Sequence, residues 1–321
     1  MLKPTALKDY VAFRARTVYR LVLKVLPLPQ TPPKSEQDLT LVSMCGAKYI
    51  GLLQQSLLSL YREWTLLPKL HIVSDGSVTV SELQNALHWW SGTKEFSSWE
   101  ESVAYHEQRG RRSIVQFAQS NVMGKKLAVI LKAGEQGPTL WCDSDILWFK
   151  QLPNIPKVDQ TNTRPVLKIS EDFQPSYDPR LIESGLSHLT QPPYRNAGLI
   201  YIQGEVLKHC KLQPLLDLAA EKPCNDAEQT IFAEANYQLN SGIWLRDEIA
   251  CFAEDAITTR PQYAGKNWVA RHYIGPVRHL FWRDALILRV GGKDNLFKAT
   301  GDPKLPAETE EISESVTNHE H

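Results

Sequence analysis

Asp143 and Asp145 are the first residues whose types and spacing could do chemistry. They stand in Leu140-Trp-Cys-Asp-Ser-Asp-Ile-Leu-Trp-Phe149, between flanks too apolar for an ordinary surface turn. Such flanks read as a buried strand that surfaces at its end. A carboxylate pair exposed there offers hard oxygen ligands to a divalent cation, and that cation could hold a pyrophosphate. The same residues also suit a strand ending in a solvated acidic turn, with Asp145 capping the next segment. An isolated Asp-x-Asp is common, so the later segments have to decide.

Three further stretches carry candidate chemistry. In Tyr194-Arg-Asn-Ala-Gly-Leu-Ile-Tyr-Ile202, small residues lead straight into an apolar strand, which marks a close approach of backbone or ligand at Gly198. Asn196 has donors and acceptors for sugar hydroxyls. Asp226-Ala-Glu-Gln-Thr-Ile-Phe232 puts Glu228 and Gln229 at the start of a helix, where the helix dipole alone favours an acidic residue. Arg271-His-Tyr-Ile-Gly-Pro-Val-Arg-His-Leu-Phe-Trp282 supplies two potential metal ligands, His272 and His279, and a fixed positive charge, Arg278. A lone histidine is more often an ordinary hydrogen-bonded residue than a ligand.

The elements that must position these residues follow from periodicity. Leu39–Cys45 reads as a strand closing on Gly46, and Ile50, Leu53, Leu57, Leu60 and Trp64 fall at helical spacing. Lys69–Val73 is a second strand, closing on Ser74-Asp75-Gly76. Strand, helix, strand means a parallel pair with a crossover, and ligands bind outside the carboxyl ends of such strands. At Gly46 a ligand could come near the backbone, and a plain turn explains it as well. Residues 80–121 read as polar helix and loop, with Trp89, Trp90 and Trp99 as packing residues and Arg109, Arg111 and Arg112 as a solvated face. A helix over 122–132 carries Lys125 and Lys126, and Pro165–Ile169 is a strand followed by Glu171 and Asp172.

Composition excludes little. The 321 residues hold 36 basic and 36 acidic side chains, so no charge excess points to nucleic acid. Five cysteines without ligand-like spacing fit reduced thiols. No apolar run spans a bilayer and the start lacks a signal-peptide cleavage site, so a cytoplasmic protein is expected. Residues 5–26 form a basic helix-period segment that suits either an anionic membrane face, as a peripheral contact on the inner side, or packing on the domain. Prolines follow to residue 33, and the acidic tail from about Gly301 is expected to be disordered.

In order, the four stretches resemble glycosyltransferase family 8, the nucleotide-sugar transferases that include glycogenin and bacterial lipopolysaccharide galactosyltransferases. Asp143-Ser-Asp145 matches the family's Asp-x-Asp, and Asn196-Ala-Gly198 its Asn-Ala-Gly before a strand. Glu228-Gln229 lies where Asp-Gln is usual. His272-Tyr-x-Gly275-x-x-Arg278 looks like its His-Phe-x-Gly-x-x-Lys. The resemblance runs from about Leu39 to Trp282. It implies an α/β GT-A fold, a Rossmann-like, mostly parallel sheet flanked by helices with the Asp-x-Asp at a strand end. That domain is expected over 35–298, after a helix and linker at 1–34 and before the tail at 299–321.

What the resemblance implies about the site is specific. Asp143, Asp145 and His272 would hold Mn²⁺ or Mg²⁺. Cys45, Tyr49, Lys125, Lys126, Asp143, Ser144, Gly275 and Arg278 would bind the nucleotide-sugar donor, a UDP-sugar. Asn196, Asp172, Glu228 and Gln229 would hold the transferred sugar and the incoming hydroxyl of a glycan, lipid or protein acceptor, with retention at the anomeric carbon. There are departures. Gly46 stands where an Asp often helps to read uracil, Glu228 has a longer arm than Asp, and His279-Leu-Phe-Trp282 replaces Pro-Trp. Two rival readings differ in class. One is a non-catalytic nucleotide-sugar or glycan-binding protein on the same fold. The other is a haloacid-dehalogenase-like phosphatase, against which Leu147 stands where a Thr or Val normally follows the second Asp.

Overall fold

Apolar strands separated by helices put a sheet at the centre of the chain, buried on both faces. The structure, a computed structural model, describes residues 4–28, 32–153, 155, 164–259 and 268–299; the expected tail lies outside them apart from residue 299. Helix α1 (Pro4–Val25) precedes β1 (Glu36–Cys45), α2 (Ile50–Glu63) and β2 (Leu67–Ser74). Then come α3 (Val80–Ala86), β3 (Lys94–Ser98), α4 (Trp99–Glu107), α5 (Arg112–Ser120) and α6 (Val122–Gln136). The middle of the chain forms β4 (Thr139–Cys142), β5 (Ile146–Trp148), β6 (Val166–Asp172), α7 (Pro179–Glu183), β7 (Tyr194–Gln203), α8 (Val206–His209) and α9 (Gln213–Glu221). The rest is α10 (Ala227–Leu239), β8 (Ile243–Trp244), β9 (Ile249–Cys251), α11 (Ala256–Thr259), β10 (Ala270–His272) and α12 (Arg278–Ala299).

Seven strands form the main sheet in the order β3-β2-β1-β4-β7-β6-β8, and β5-β10-β9 form a smaller one. β1 to β4 run parallel, and β7 is antiparallel to both β4 and β6. This agrees with the expected mostly parallel, helix-flanked α/β sheet, with the Asp-x-Asp just past the end of a central strand. Leu127, Ile130 and Phe232 from α6 and α10 pack on one face, and Leu53, Leu57 and Trp64 from the α2 region on the other. In a third apolar cluster Ala12 and Leu23 of α1 meet Leu280, Phe281 and Ala285 of α12.

Two expectations need correction. Residues 80–121 are not only helix and loop, because β3 adds an edge strand beside β2. It pairs through its backbone on one side and carries Lys94 and Glu95, so it lacks the apolar signal of an inner strand. The apolar run around the Asp pair is also not one strand surfacing at its end. It breaks there, β4 staying in the large sheet and β5 crossing to the small one, and Asp145 is only 4% exposed.

Candidate active site

The main-chain ladders explain why residues far apart in sequence meet. β5 pairs antiparallel with β10 so that Ile146 faces His272, and the Tyr273 N–H donates to the Asp145 carbonyl at 2.9 Å. His272 is thereby fixed beside Asp145. On the other side the Asp143 N–H donates to the Gly198 carbonyl at 2.8 Å, which extends the β4–β7 pairing and brings Asn196-Ala-Gly198 to the bend.

Asp143, Asp145 and His272 offer one ligand atom each, all within 4.8 Å of one another. The His272 Nδ1–H donates to Asn196 Oδ1 at 2.9 Å, and that oxygen also accepts from the Gly198 N–H at 2.8 Å. Nε2 is left facing Asp145 Oδ1 at 3.2 Å and Asp143 Oδ2 at 3.9 Å. Two carboxylates and an imidazole so oriented are a fitting donor set for a divalent ion, with the ring aimed by a hydrogen bond to its other nitrogen. The ring lies against bare backbone: a Cβ on Gly198 would be 2.3 Å from its Cε1.

Cations surround the pair. Arg278 Nε and Nη2 each donate to Asp145 Oδ2 at 2.8 Å. Burial alone would push the Asp145 carboxyl up, but His272 and Arg278 outweigh it and hold it below the usual range. His272 is the mirror case, since burial works against its charge and Asp145 raises its pKa. Lys126 lies 3.1 Å from Asp143 Oδ1 and donates to the Ala197 carbonyl at 3.0 Å. The Trp141 indole N–H donates to the same Asp143 oxygen at 2.9 Å.

Glu228, buried at the start of α10, is 3.5 Å from Lys126 and pushed up to about 7, burial prevailing over the lysine's pull. The lysine itself goes the other way: burial opposes its charge, yet Asp143 and Glu228 raise its pKa. The two directions agree because Lys126 pairs mainly with Asp143, the closer carboxylate, and leaves Glu228 only partly compensated. Gln229 accepts from the Ala197 N–H at 3.2 Å and donates to the Ser176 carbonyl at 2.9 Å. Asp172 is buried and accepts from Asn196 Nδ2 at 2.9 Å and Gln229 Nε2 at 3.3 Å, so it orients these two amides.

The remaining candidates come from several elements around the Asp pair. Cys45 contributes main chain, its carbonyl accepting from the Asp75 N–H at 3.1 Å, while its thiol is buried and pushed up to about 12. Tyr49 is exposed at the start of α2, 6.0 Å from the Arg278 guanidinium. Ser144 sits in the bend between the two carboxylates, and Gly275 opens a short 3₁₀ turn before Arg278 with open space at its α-carbon. Lys125 does not join the Asp pair. It donates to the Asp75 carbonyl at 2.7 Å and lies over the Trp99 ring. His279 turns away from the site, its Nε2 2.8 Å from Asp9 Oδ1.

Two residues of the site escape sequence reading. Trp141 lies two residues before Asp143, and strand periodicity puts both on one face. The other is Asp75, at the end of β2 beside β1. A Cβ on Gly46 would be 2.2 Å from Asp75 Oδ2, so this carboxylate fills the space that a side chain at position 46 would need.

No protein-family model matches the chain, and neither does any curated protein. Similar solved structures include the galactosyltransferase LgtC with donor and acceptor sugar analogues, at 14% identity over 84% of this chain and 98% of that one, TM-score 0.48. The glycosyltransferase GlyE of Streptococcus pneumoniae TIGR4 is 14% identical over 82% of this chain and 63% of its own, TM-score 0.45. The bifunctional glycosyltransferase WbbM is 12% identical over 84% and 53%, TM-score 0.48. The chain spans less than two thirds of the length of GlyE and of WbbM.

Proposed function

We propose that this chain is a metal-dependent glycosyltransferase that moves a sugar from a nucleoside-diphosphate donor, a UDP-sugar, to an acceptor hydroxyl with retention at the anomeric carbon. The observation that carries the reading is the convergence of Asp143, Asp145 and His272 at a strand end, with Lys126 and Arg278 against the carboxylates. A divalent ion held there would act as a Lewis acid toward the departing diphosphate. The mixed imidazole and carboxylate set suits Mn²⁺ better than Mg²⁺.

The chain's own residues divide the remaining work. Arg278 and Lys126 are fixed charges for the diphosphate, already oriented by the Asp pair and so needing little reorganisation. Tyr49 supplies an aromatic face for the base, and Asp75 a carboxylate on the same side. Asn196 aims His272 and, with Gln229, presents amide groups to the donor sugar, both held by Asp172. Glu228, sharing Lys126 with Asp143, sets the charge balance behind the sugar. The five free cysteines support a reducing compartment, the cytoplasm, and α1 supports peripheral contact with its membrane face.

Calorimetry tests the donor site. UDP is expected to bind in Mn²⁺ and to lose at least about tenfold in affinity in EDTA or in Asp145→Ala, since losing only the partner that orients a metal ligand already costs about that much. Equal affinity in all three sinks the reading. Stereochemistry is tested by the anomeric coupling in early product from an α-linked donor. An α-linked product is expected. A β-linked one would make Glu228 the first candidate for a base, its pKa of about 7 being suited to that task. Turnover itself separates an enzyme from a binding protein on the same fold.

A further inference from the structure

Next to the candidate donor site lies a concavity of about 560 Å³ whose walls include Tyr10, Phe13, Arg16, Arg20, Arg278 and Trp282. Helix α1 forms one wall, and the start of α12 with the turn before it forms the other. His279 ties the two together, its Nε2 2.8 Å from Asp9 Oδ1 and its ring edge-on to Phe13 at 5.6 Å. Arg278 belongs to both places, since it lines the concavity and also grips Asp145. A molecule lying in the concavity therefore ends one side chain away from the Asp pair.

The wall chemistry is selective. Tyr10, Phe13 and Trp282 give the concavity an aromatic lining on which the cations sit. The Arg16 guanidinium lies 3.9 Å over the Phe13 ring and donates to the Phe13 carbonyl at 3.0 Å, and that of Arg20 lies 5.0 Å over Trp282. Neither is paired with a carboxylate among the described residues. The one acid on the wall, Asp9, is engaged by His279. Guanidinium forks seated on aromatic rings match phosphate or carboxylate oxygens. Residues 16 and 20 are one helical turn apart on the side of α1 that carries Phe13, away from the exposed Val18, Leu21 and Val25, and both line the concavity.

We propose that this concavity is the acceptor subsite and that it takes a saccharide carrying an anionic group, a phosphate or a carboxylate, held by Arg16 and Arg20. The inference rests on the glycosyltransferase reading for the word acceptor, and α1 becomes part of the substrate-binding surface. The test is calorimetric titration of the full chain with glucose 6-phosphate, glucuronate and glucose, with and without UDP and Mn²⁺. At least one anionic sugar is expected to bind about tenfold or more tighter than glucose, the scale of one charge-assisted hydrogen bond, and the two together distinguish phosphate from carboxylate.

Arg16→Ala with Arg20→Ala is expected to remove that preference, and Arg16→Lys with Arg20→Lys to restore most of it. Both double variants should keep the thermal midpoint and bind UDP within about twofold of the parent. Equal binding of the three sugars overturns the proposal, as does a preference that survives in the alanine variant. So does an alanine variant that loses only its binding to phosphatidylglycerol vesicles. If UDP fails to bind, the donor reading falls, while the titrations without UDP still decide whether the concavity holds an anionic sugar.

Discussion

At residue 198 a single methyl group would collide with the imidazole that the candidate metal site needs. The added Cβ would stand 2.3 Å from His272 Cε1 and 2.9 Å from Asn196 Oδ1, and the ring cannot retreat without giving up its bond to that oxygen. Gly198→Ala is therefore expected to cost about 1–3 kcal/mol of stability, as overpacking does. It should also weaken Mn²⁺-dependent UDP binding by at least about tenfold, because the displaced group aims a ligand. Thermal unfolding and calorimetry read the two effects separately, and an affinity equal to the parent's would remove His272 from the ligand set. Much at this scale is legible in the sequence. The Asp pair, Asn196, Gly198, Glu228, Gln229 and His272 all converge. Sequence cannot choose between adjacent Lys125 and Lys126, because only helix phase sends one to Asp143 and its neighbour to the Asp75 carbonyl. Nor can it show that Asp75 fills the space left by Gly46, which depends on the register between β1 and β2.

Among the elements, α6 has the most exacting task, because it carries Lys126 to the Asp pair and is braced from behind by α4. The brace is His106, fully buried, whose Nε2–H donates to the Ala128 carbonyl at 2.9 Å while Nδ1 accepts from Arg111 at 3.2 Å. Burial lowers its pKa from 6.5 to about 4, with the Ala128 hydrogen bond opposing and Arg111 assisting. The folded protein thus holds the neutral ring. Its contribution is fully present above pH 6.5 and is lost as pH falls toward 4, an effect of about 3 kcal/mol. Thermal midpoints measured from pH 7 down to pH 4 should fall, and His106→Asn should start lower and fall less steeply. Parallel curves for the two proteins would assign the acid sensitivity elsewhere. Secondary structure is legible where apolar periodicity is strong, as in β1, β2, β7 and α2. It is hidden at the polar edge strand β3 and at the break between β4 and β5. There a continuous apolar run serves two sheets, and composition does not mark the crossing.

At the scale of the whole molecule, charge is balanced overall and uneven in place. Helix α1 carries Lys8, Arg14, Arg16, Arg20 and Lys24 against one acid, Asp9, in a chain whose formal net charge is zero. The sequence announces a basic helix but not that it has two apolar sides, because the partner of the inner one, α12, lies at the other end of the chain. Ala12 and Leu23 are buried in the cluster shared with α12, while Val11, Val18, Leu21 and Val25 stay exposed. No described helix is long and apolar enough to cross a membrane. A helix lying in the interface would use the exposed residues as its buried face, with Arg14 and Lys24 among the lipid headgroups. Each basic group near an anionic surface contributes about 1 kcal/mol, and salt screens it. The full-length protein is thus expected to sediment with phosphatidylglycerol vesicles at low salt, to be largely released at about 0.5 M salt, and to ignore phosphatidylcholine vesicles. Leu21→Asp and Val25→Asp change exposed side chains, so they should leave the fold intact and abolish sedimentation, since an acid on that face opposes both attractions. If the aspartate variants sediment like the parent, or if neutral and anionic vesicles bind equally, α1 is a structural helix and its outward face meets only water.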